Sequence, residues 1–174
     1  MTTTVRPCPP PATSAITRYA HGADFIDCHD VQVRDVERTA LRHFLILLAA
    51  TPAWLDNLMK LRNRLVQTVG LKDLGALTRV DLARPDEDYR PGDRVGIFTL
   101  LANDADEVLV ADQDNHLDVF LALTRLPMAA DGTRLVVLST VVRTHNWLGK
   151  VYMLPVAPFH RQIAPMTLRG INRR

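Results

Sequence analysis

The longest periodic pattern of apolar residues lies near the C-terminus, in residues 144–169. On a helical wheel these apolar residues gather on one face, which is typical of a helix lying along a sheet. The face comprises Leu148, Tyr152, Pro155, Val156, Phe159, Ile163 and Met166. Asn146 is suited to cap the helix, since its side-chain oxygen can accept from an unpaired amide. Pro155, Pro158 and Pro165 each remove a helical donor, so we expect a kinked or interrupted helix with room beneath it.

Five other segments have the alternating or continuous apolar pattern of β-strands. They are residues 24–33, 94–101, 106–111, 115–125 and 133–144. Turn sequences such as Asn103-Asp104 and Asp131-Gly132 join neighbouring segments, and such short connections favour an antiparallel meander. The segment 115–125 has one apolar face, formed by Leu117, Val119, Leu121 and Leu123.

Two shorter helices are expected after the first strand. Asp35 is placed to cap the first of them. Thr51 and Pro52 suit the start of the second, which is expected to run to Val69 with Gly70 at its C-cap. Because strands and helices are segregated along the chain, the predicted fold class is α+β. A curved antiparallel sheet wrapped around the long, proline-kinked C-terminal helix would bury every apolar face.

The composition describes an ordinary globular protein. The chain has 174 residues, of which 47% are hydrophobic and 23% charged. We expect a disordered, proline-rich leader over residues 1–20 and a single domain over residues 21–174. The net charge of +2 is too small to indicate a nucleic-acid-binding protein. The absence of a long apolar run argues against a membrane span, and two cysteines outside any CxxC pair favour a cytoplasmic protein.

Four segments carry a resemblance to known proteins: PAWLDNLMKLRNRLV at 52–66 with GLK following, DNHLD at 114–118, STVVRTHNWLGKVYM from Ser139, and PFHR at 158–161. They resemble a bacterial family of domains of unknown function. In some members this domain is fused to a short-chain-dehydrogenase-like domain. The element order resembles the START-like, or helix-grip, superfamily, which includes polyketide cyclases and lipid-transfer domains. This resemblance implies a cavity for an apolar or amphipathic small molecule. The narrower family implies no activity.

Arg62 is the charged residue at the centre of the apolar stripe of the second predicted helix. A buried charge costs several kcal/mol unless it is paired. One interpretation is a structural ion pair with a carboxylate of the sheet, or a buried stem whose head reaches water. The other is an anchor for the acidic end of an amphipathic ligand, which a guanidinium can bind through two parallel hydrogen bonds.

Histidines provide weaker candidates for chemistry. His116 and Asp118 are two residues apart on one strand face, so the carboxylate could orient the imidazole as a general base. Their apolar neighbours occupy the buried face, which favours an outward, structural role for the pair. With His145 or His160 they could also form the two-histidine, one-carboxylate set of non-haem iron sites, but the spacing is permissive. His160, at the edge of the helical stripe, is expected to be solvated or to cap the helix.

The leading hypothesis is a binding module for a small hydrophobic or amphipathic molecule held between the sheet and the C-terminal helix. The polar groups predicted for its binding site are those of Arg62, Tyr152 and Thr140. The predicted apolar lining is Trp54, Phe98 and Phe159. No cofactor or metal ion is expected, and the oligomeric state is left open, with a homodimer as one alternative.

Two alternatives remain. One is an enzyme that uses His116 or His145 as acid and base, and the other is an association-only domain with a filled core. A cavity with inward polar groups favours the carrier, whereas a histidine within about 3 Å of a carboxylate inside that cavity favours the enzyme. A solid core with a large exposed apolar patch favours association.

Overall fold

The computed structural model describes residues 3–52, 54–55 and 80–172. Within these residues the fold is α+β, as predicted, with a curved seven-stranded antiparallel sheet, a C-terminal helix and two shorter helices. The strands are β1 (Val5–Pro7), β2 (Phe25–Val33), β3 (Arg94–Val95), β4 (Phe98–Asn103), β5 (Glu107–Gln113), β6 (Leu117–Arg125) and β7 (Arg134–Thr144). The helices are α1 (Thr17–Ala20), α2 (Ala40–Ala49) and α3 (Trp147–Leu168).

The sheet has the strand order β1-β2-β7-β6-β5-β4-β3. The strands from β3 to β7 follow one another as antiparallel neighbours, which confirms the predicted meander. The predicted strand 94–101 is two strands, because the chain turns back at Gly96, whose φ is 61°. Glycine takes this left-handed conformation without steric cost. β2 pairs with β7 and so brings the N-terminal half of the chain onto the meander.

The cap of α2 differs from the prediction. Thr39, not Asp35, is the N-cap residue, and its hydroxyl oxygen accepts from the Arg42 amide at 3.0 Å. Asp35 lies in the preceding turn, where its carboxylate accepts from the Glu37 amide at 3.3 Å and pairs with Arg38. Asp35 is therefore engaged before the helix begins. The second predicted helix, at 51–69, lies mostly outside the described residues.

The sequence predicts a disordered leader over residues 1–20, whereas residues 5–20 pack on the sheet. Val5 pairs with Val31 across β1 and β2. Farther along, Ile16 is completely buried, and the ring of Tyr19 stacks on Phe120 with 3.8 Å between centroids. The physical reason is that the central strands are apolar on both faces. The outer face of the sheet must be covered, and this segment covers it. The cluster there includes Ile16, Leu109, Ala111, Phe120, Ala122 and Val141.

Hydrogen bonds fix this N-terminal segment to the sheet. The Ala15 amide donates to the carboxylate of Glu107 at 2.8 Å, and the Thr124 hydroxyl donates to the same carboxylate at 2.7 Å. The guanidinium of Arg143 donates to the main-chain oxygens of Tyr19 and His21 at 2.9 and 2.7 Å. The main-chain groups of the segment thereby find partners on the strands that it covers.

α3 begins as predicted. The side chain of Asn146 caps it by accepting from the Gly149 amide at 3.1 Å. The helix continues through its three prolines. The carbonyls that lose a donor to these prolines belong to Val151, Leu154 and Arg161, which are all exposed, so water can serve them. A kink at the prolines stays a prediction.

Candidate functional site

A cavity of about 230 Å³ lies between the inner face of the sheet, α2 and α3. Apolar side chains from all three provide most of its described lining. They are Phe25, Phe44, Leu47, Leu48, Leu55, Ile97, Phe98, Leu117, Val119, Leu121, Leu138, Val142, Met153, Val156, Ile163 and Ala164. Polar groups enter at Thr51, Asp112, Thr140, Tyr152, His160 and Thr167. An apolar cavity with a few polar groups is the usual form of a small-molecule site.

A second, larger depression of about 550 Å³ lies at the β1 edge of the sheet. Its lining is more polar, and the side chain of Asn172 accepts from the Arg34 amide and donates to the Gln32 oxygen, both at 2.9 Å. Because these groups bond with one another in an open groove, the cavity under α3 is the better candidate site.

Three of the predicted site residues meet at the cavity. Phe98 reaches it from β4, Thr140 from β7 and Tyr152 from α3. Thr140 and Phe98 are buried, whereas Tyr152 is half-buried. Tyr152 and Asp112 each already have an interaction within the chain, so neither residue is a free ligand.

Two predicted lining residues do not reach the cavity. Trp54 and Phe159 are 49% and 58% exposed. For Phe159 the reason is the rotation of α3 about its axis, which turns the next residue, His160, towards the sheet instead. Trp54 lies beside Leu55, which faces the cavity in its place. Arg62 lies outside the described residues.

His160 joins two residues of the sheet. The register of β2 on β7 places Asp27 directly opposite Thr140, and both side chains point towards α3. Nδ1 of His160 lies 3.1 Å from the Asp27 carboxylate, and its Nε2 lies 3.4 Å from the Thr140 hydroxyl. The ring also meets the edge of Phe25 at 5.5 Å between centroids. One imidazole thus links a carboxylate in the sheet to a hydroxyl in the cavity wall.

The charges around Asp27 favour its ionised form. Burial raises the pKa of the Asp27 carboxyl, but the hydrogen bond from His160 and the charges of His29 and His160 outweigh burial, so the pKa lies below its ordinary value. Nδ1 of His29 lies 3.6 Å from the same carboxylate. An ionised Asp27 holds the imidazole of His160 in a fixed orientation.

The histidines singled out as catalytic candidates lie away from the cavity. His145 is exposed and its Nε2 lies 3.2 Å from the Asp118 carboxylate. His116 is held by the side-chain amide of Asn146, with 3.0 Å between Nδ1 and Nδ2. Asp118 is on the opposite face of β6 from the cavity-lining Leu117, as the alternation predicts. Among the described residues, no group of three potential ligands is arranged to hold a metal ion.

Sequence reasoning missed His160 and Asp27 as a pair. The alternation of β2 groups Asp27 and His29 with Phe25, Val31 and Val33 on one face, and polar residues on a mainly apolar face are a usable signal for a buried polar group. The pairing with His160 depends on the rotation of α3, which the wheel did not determine. Nothing in the spacing of two residues 133 positions apart indicates that they touch.

Within the described part of the chain, no helix combines the length and apolar character that crossing a bilayer requires.

Comparison with known proteins gives one family. No curated protein and no solved structure matches the chain. Residues 19–167 match the family described as "Protein of unknown function (DUF2867)", and this range includes strands β2 to β7, helix α2 and the described lining of the cavity. The chain therefore belongs to this family of unknown function, DUF2867.

Proposed function

We propose that the protein binds a small hydrophobic or amphipathic molecule in the cavity between the sheet and α3. The observation that carries this proposal is the cavity itself, about 230 Å³ in volume and lined mainly by apolar side chains. Burying apolar surface of a ligand there is favourable by roughly 25 cal/mol per Å². An apolar cavity of about 150 Å³ can hold benzene, so this one suits a substituted single ring or a medium-length chain.

We also propose a more specific fold assignment than α+β. We assign the chain to the helix-grip, START-like architecture as a single cytoplasmic domain. The strand order, with β2 joined to the far end of the meander, and the single long helix over the inner face support this assignment. Arg62 stays in the proposal as the anchor for an acidic group on the ligand.

The Asp27–His160 pair favours a second candidate function. A histidine that a carboxylate orients is the usual general base of an enzyme, and here the nitrogen–oxygen distance is 3.1 Å. The enzyme alternative therefore moves from His116 and His145 to His160, whose ring lines the cavity. Because the cavity is a void, the association-only alternative with a filled core has less support.

Native mass spectrometry of freshly purified protein tests the binding proposal. We expect a mass above that of the 174-residue chain, which solvent extraction removes and which small-molecule analysis identifies. Val119→Phe fills the cavity from β6 and should abolish the added mass. Val151→Phe places the same ring on the exposed face of α3 and should retain it. An added mass that survives Val119→Phe, or wild-type protein that takes up no small apolar compound, would overturn the proposal.

A further inference from the structure

Most polar groups that line the cavity are already engaged. The Thr51 hydroxyl donates to the Leu47 carbonyl at 3.2 Å, and the Thr167 hydroxyl donates to the Ile163 carbonyl at 3.1 Å. Asp112 and Tyr152 also have interactions elsewhere in the chain. Among the described lining residues, the pair Thr140 and His160 is therefore the place where a ligand's polar group can be recognised.

The hydrogen-bonding roles of this pair follow from Asp27. An ionised carboxylate only accepts hydrogen bonds, so Nδ1 of His160 must be the protonated nitrogen that donates to it at 3.1 Å. In a neutral imidazole the other nitrogen is then an acceptor. When the imidazole is neutral, Nε2 of His160 therefore presents a lone pair, beside a Thr140 hydroxyl that can donate or accept.

The distance between these two groups leaves space for a third. Nε2 and the Thr140 oxygen are 3.4 Å apart, which is long for a hydrogen bond to a hydroxyl. A single oxygen atom can lie about 2.8 Å from both of them, at ordinary hydrogen-bonding distance. Such an oxygen would donate to Nε2 of His160 and accept from the hydroxyl of Thr140. An atom that both donates and accepts in this way is a hydroxyl oxygen.

We propose that the cavity selects apolar molecules that carry a hydroxyl group, an alcohol or a phenol, and binds that hydroxyl between His160 and Thr140. This inference rests on the proposed function, since it names the ligand class of the same cavity. An ether cannot donate to Nε2. A carboxylate at this position would add a second negative charge close to Asp27. Asp27 is the positioning residue, because it fixes which nitrogen of His160 accepts.

Matched ligands test the proposal by calorimetric titration of the full chain. We use 4-propylphenol and its methyl ether, 4-propylanisole, which differ in the one donor. One neutral hydrogen bond contributes about 0.5–1.5 kcal/mol, so wild-type protein should bind the phenol roughly 3- to 10-fold more tightly. Thr140→Val and His160→Phe should bring this ratio close to one. Thr99→Val, on the outer face of β4, and His145→Phe, on an exposed histidine, are matched controls that should keep it.

The outcomes separate the two proposals. Equal binding of phenol and ether by wild-type protein would leave the binding function standing and overturn the hydroxyl site. Binding of neither compound would overturn both. Because Thr140→Val is isosteric, it decides the question even if His160→Phe does not fold.

The positioning role of Asp27 is tested separately, by the protonation of the two ring nitrogens of His160. The nitrogen NMR spectrum of His160 should show the tautomer protonated at Nδ1, and Asp27→Asn should weaken that preference. A wild-type spectrum with the proton on Nε2 would overturn the assignment of an acceptor in the cavity.

Discussion

A Cβ atom on Gly149 would lie 2.3 Å from the main-chain oxygen of His116. The first turn of α3 therefore touches the main chain just before β6, and only glycine permits the contact. Asn146 strengthens the junction by capping α3 and by donating to the Asn115 oxygen at 3.1 Å. The helix that closes the cavity is thus held in place at its N-terminus.

We predict that Gly149→Ala destabilises the protein by about 1–3 kcal/mol, because main chain would have to move to relieve the clash. The sign of the change in the free energy of unfolding is diagnostic, since a glycine-to-alanine substitution inside a helix otherwise stabilises a protein by roughly 0.5–1 kcal/mol. Urea unfolding followed by circular dichroism measures the change. Lys150→Ala, on the adjacent exposed position, should stay within about 0.5 kcal/mol of wild type. A stabilised Gly149→Ala variant would contradict this contact.

The carboxylate of Glu107 gives a second prediction. It accepts from the Ala15 amide and the Thr124 hydroxyl, so Glu107→Ala removes the hydrogen bond that attaches Ala15 to the sheet. We expect faster hydrogen exchange at Ala15 and Ile16 and a loss of about 1–3 kcal/mol of stability. Glu87→Ala, in the exposed turn before β3, is the control. Unchanged exchange at Ala15 and Ile16 in Glu107→Ala would mean that the Glu107 hydrogen bond does not hold this part of the segment on the sheet.

This segment also shows why the sequence predicted some features and not others. The order of strands and helices follows from local periodicity, and the structure agrees with it in the described residues from β2 to α3. The order of residues 5–20 was not predicted, because their prolines indicate disorder. Val5–Pro7 are held by pairing with β2, whereas Ile16 and Tyr19 pack on the outer face of strands that lie far away in the sequence. The apolar residues on both faces of β5 and β6, such as Leu109 and Phe120, were the available signal that something covers that face.

The candidate site was likewise predicted only in part from the sequence. Strand alternation groups Asp27 with Phe25 on one face of β2, but only the β2–β7 register sets Asp27 opposite Thr140. Neighbouring residues on a helix differ by about 100° in direction, so a small error in the facing of α3 exchanges Phe159 for His160. Periodicity defines an apolar face more reliably than its edges, and the polar residues of this site lie at such an edge.

His43 gives a prediction about pH. Its side chain is 1% exposed, and burial, with Arg38 adding to it, lowers the pKa of His43 below the ordinary 6.5 against the weaker pull of Asp35. The unfolded chain then binds more protons than the folded chain below pH 6.5, so this contribution to stability is present above that pH and is lost as the pH falls. Urea unfolding between pH 7.5 and pH 5.0 should show a smaller acid-dependent loss for His43→Leu than for wild type. His21→Leu, at an exposed histidine, should follow wild type, and equal slopes for all three proteins would refute the prediction.

Cys8 provides a chemical test of the β1–β2 edge. Burial, with the charge of Asp30 adding to it, raises the pKa of the Cys8 thiol to about 11. Since only the thiolate reacts, alkylation by iodoacetamide at pH 8 should be on the order of 100-fold slower than in the urea-unfolded chain. Peptide mass spectrometry measures the rate at Cys8 alone. The main-chain amide of Cys8 donates to the main-chain oxygen of Cys28 at 3.1 Å. A rate equal to that of the unfolded chain would show that this contact does not hold Cys8 in place.

Arg62 gives the last prediction, which rests on the sequence. If Arg62 anchors an acidic group, Arg62→Leu should weaken binding of 4-propylbenzoate while binding of 4-propylphenol and the free energy of unfolding change little. Breaking a buried ion pair by removing one partner instead costs about 3–5 kcal/mol, and replacing both partners with apolar residues is often neutral. Asp112, the carboxylate among the described cavity residues, is the partner to test for that alternative. A large loss of stability in Arg62→Leu that Arg62→Leu/Asp112→Leu restores, with the benzoate-to-phenol ratio unchanged, would identify Arg62 as a structural residue and remove it from the binding site.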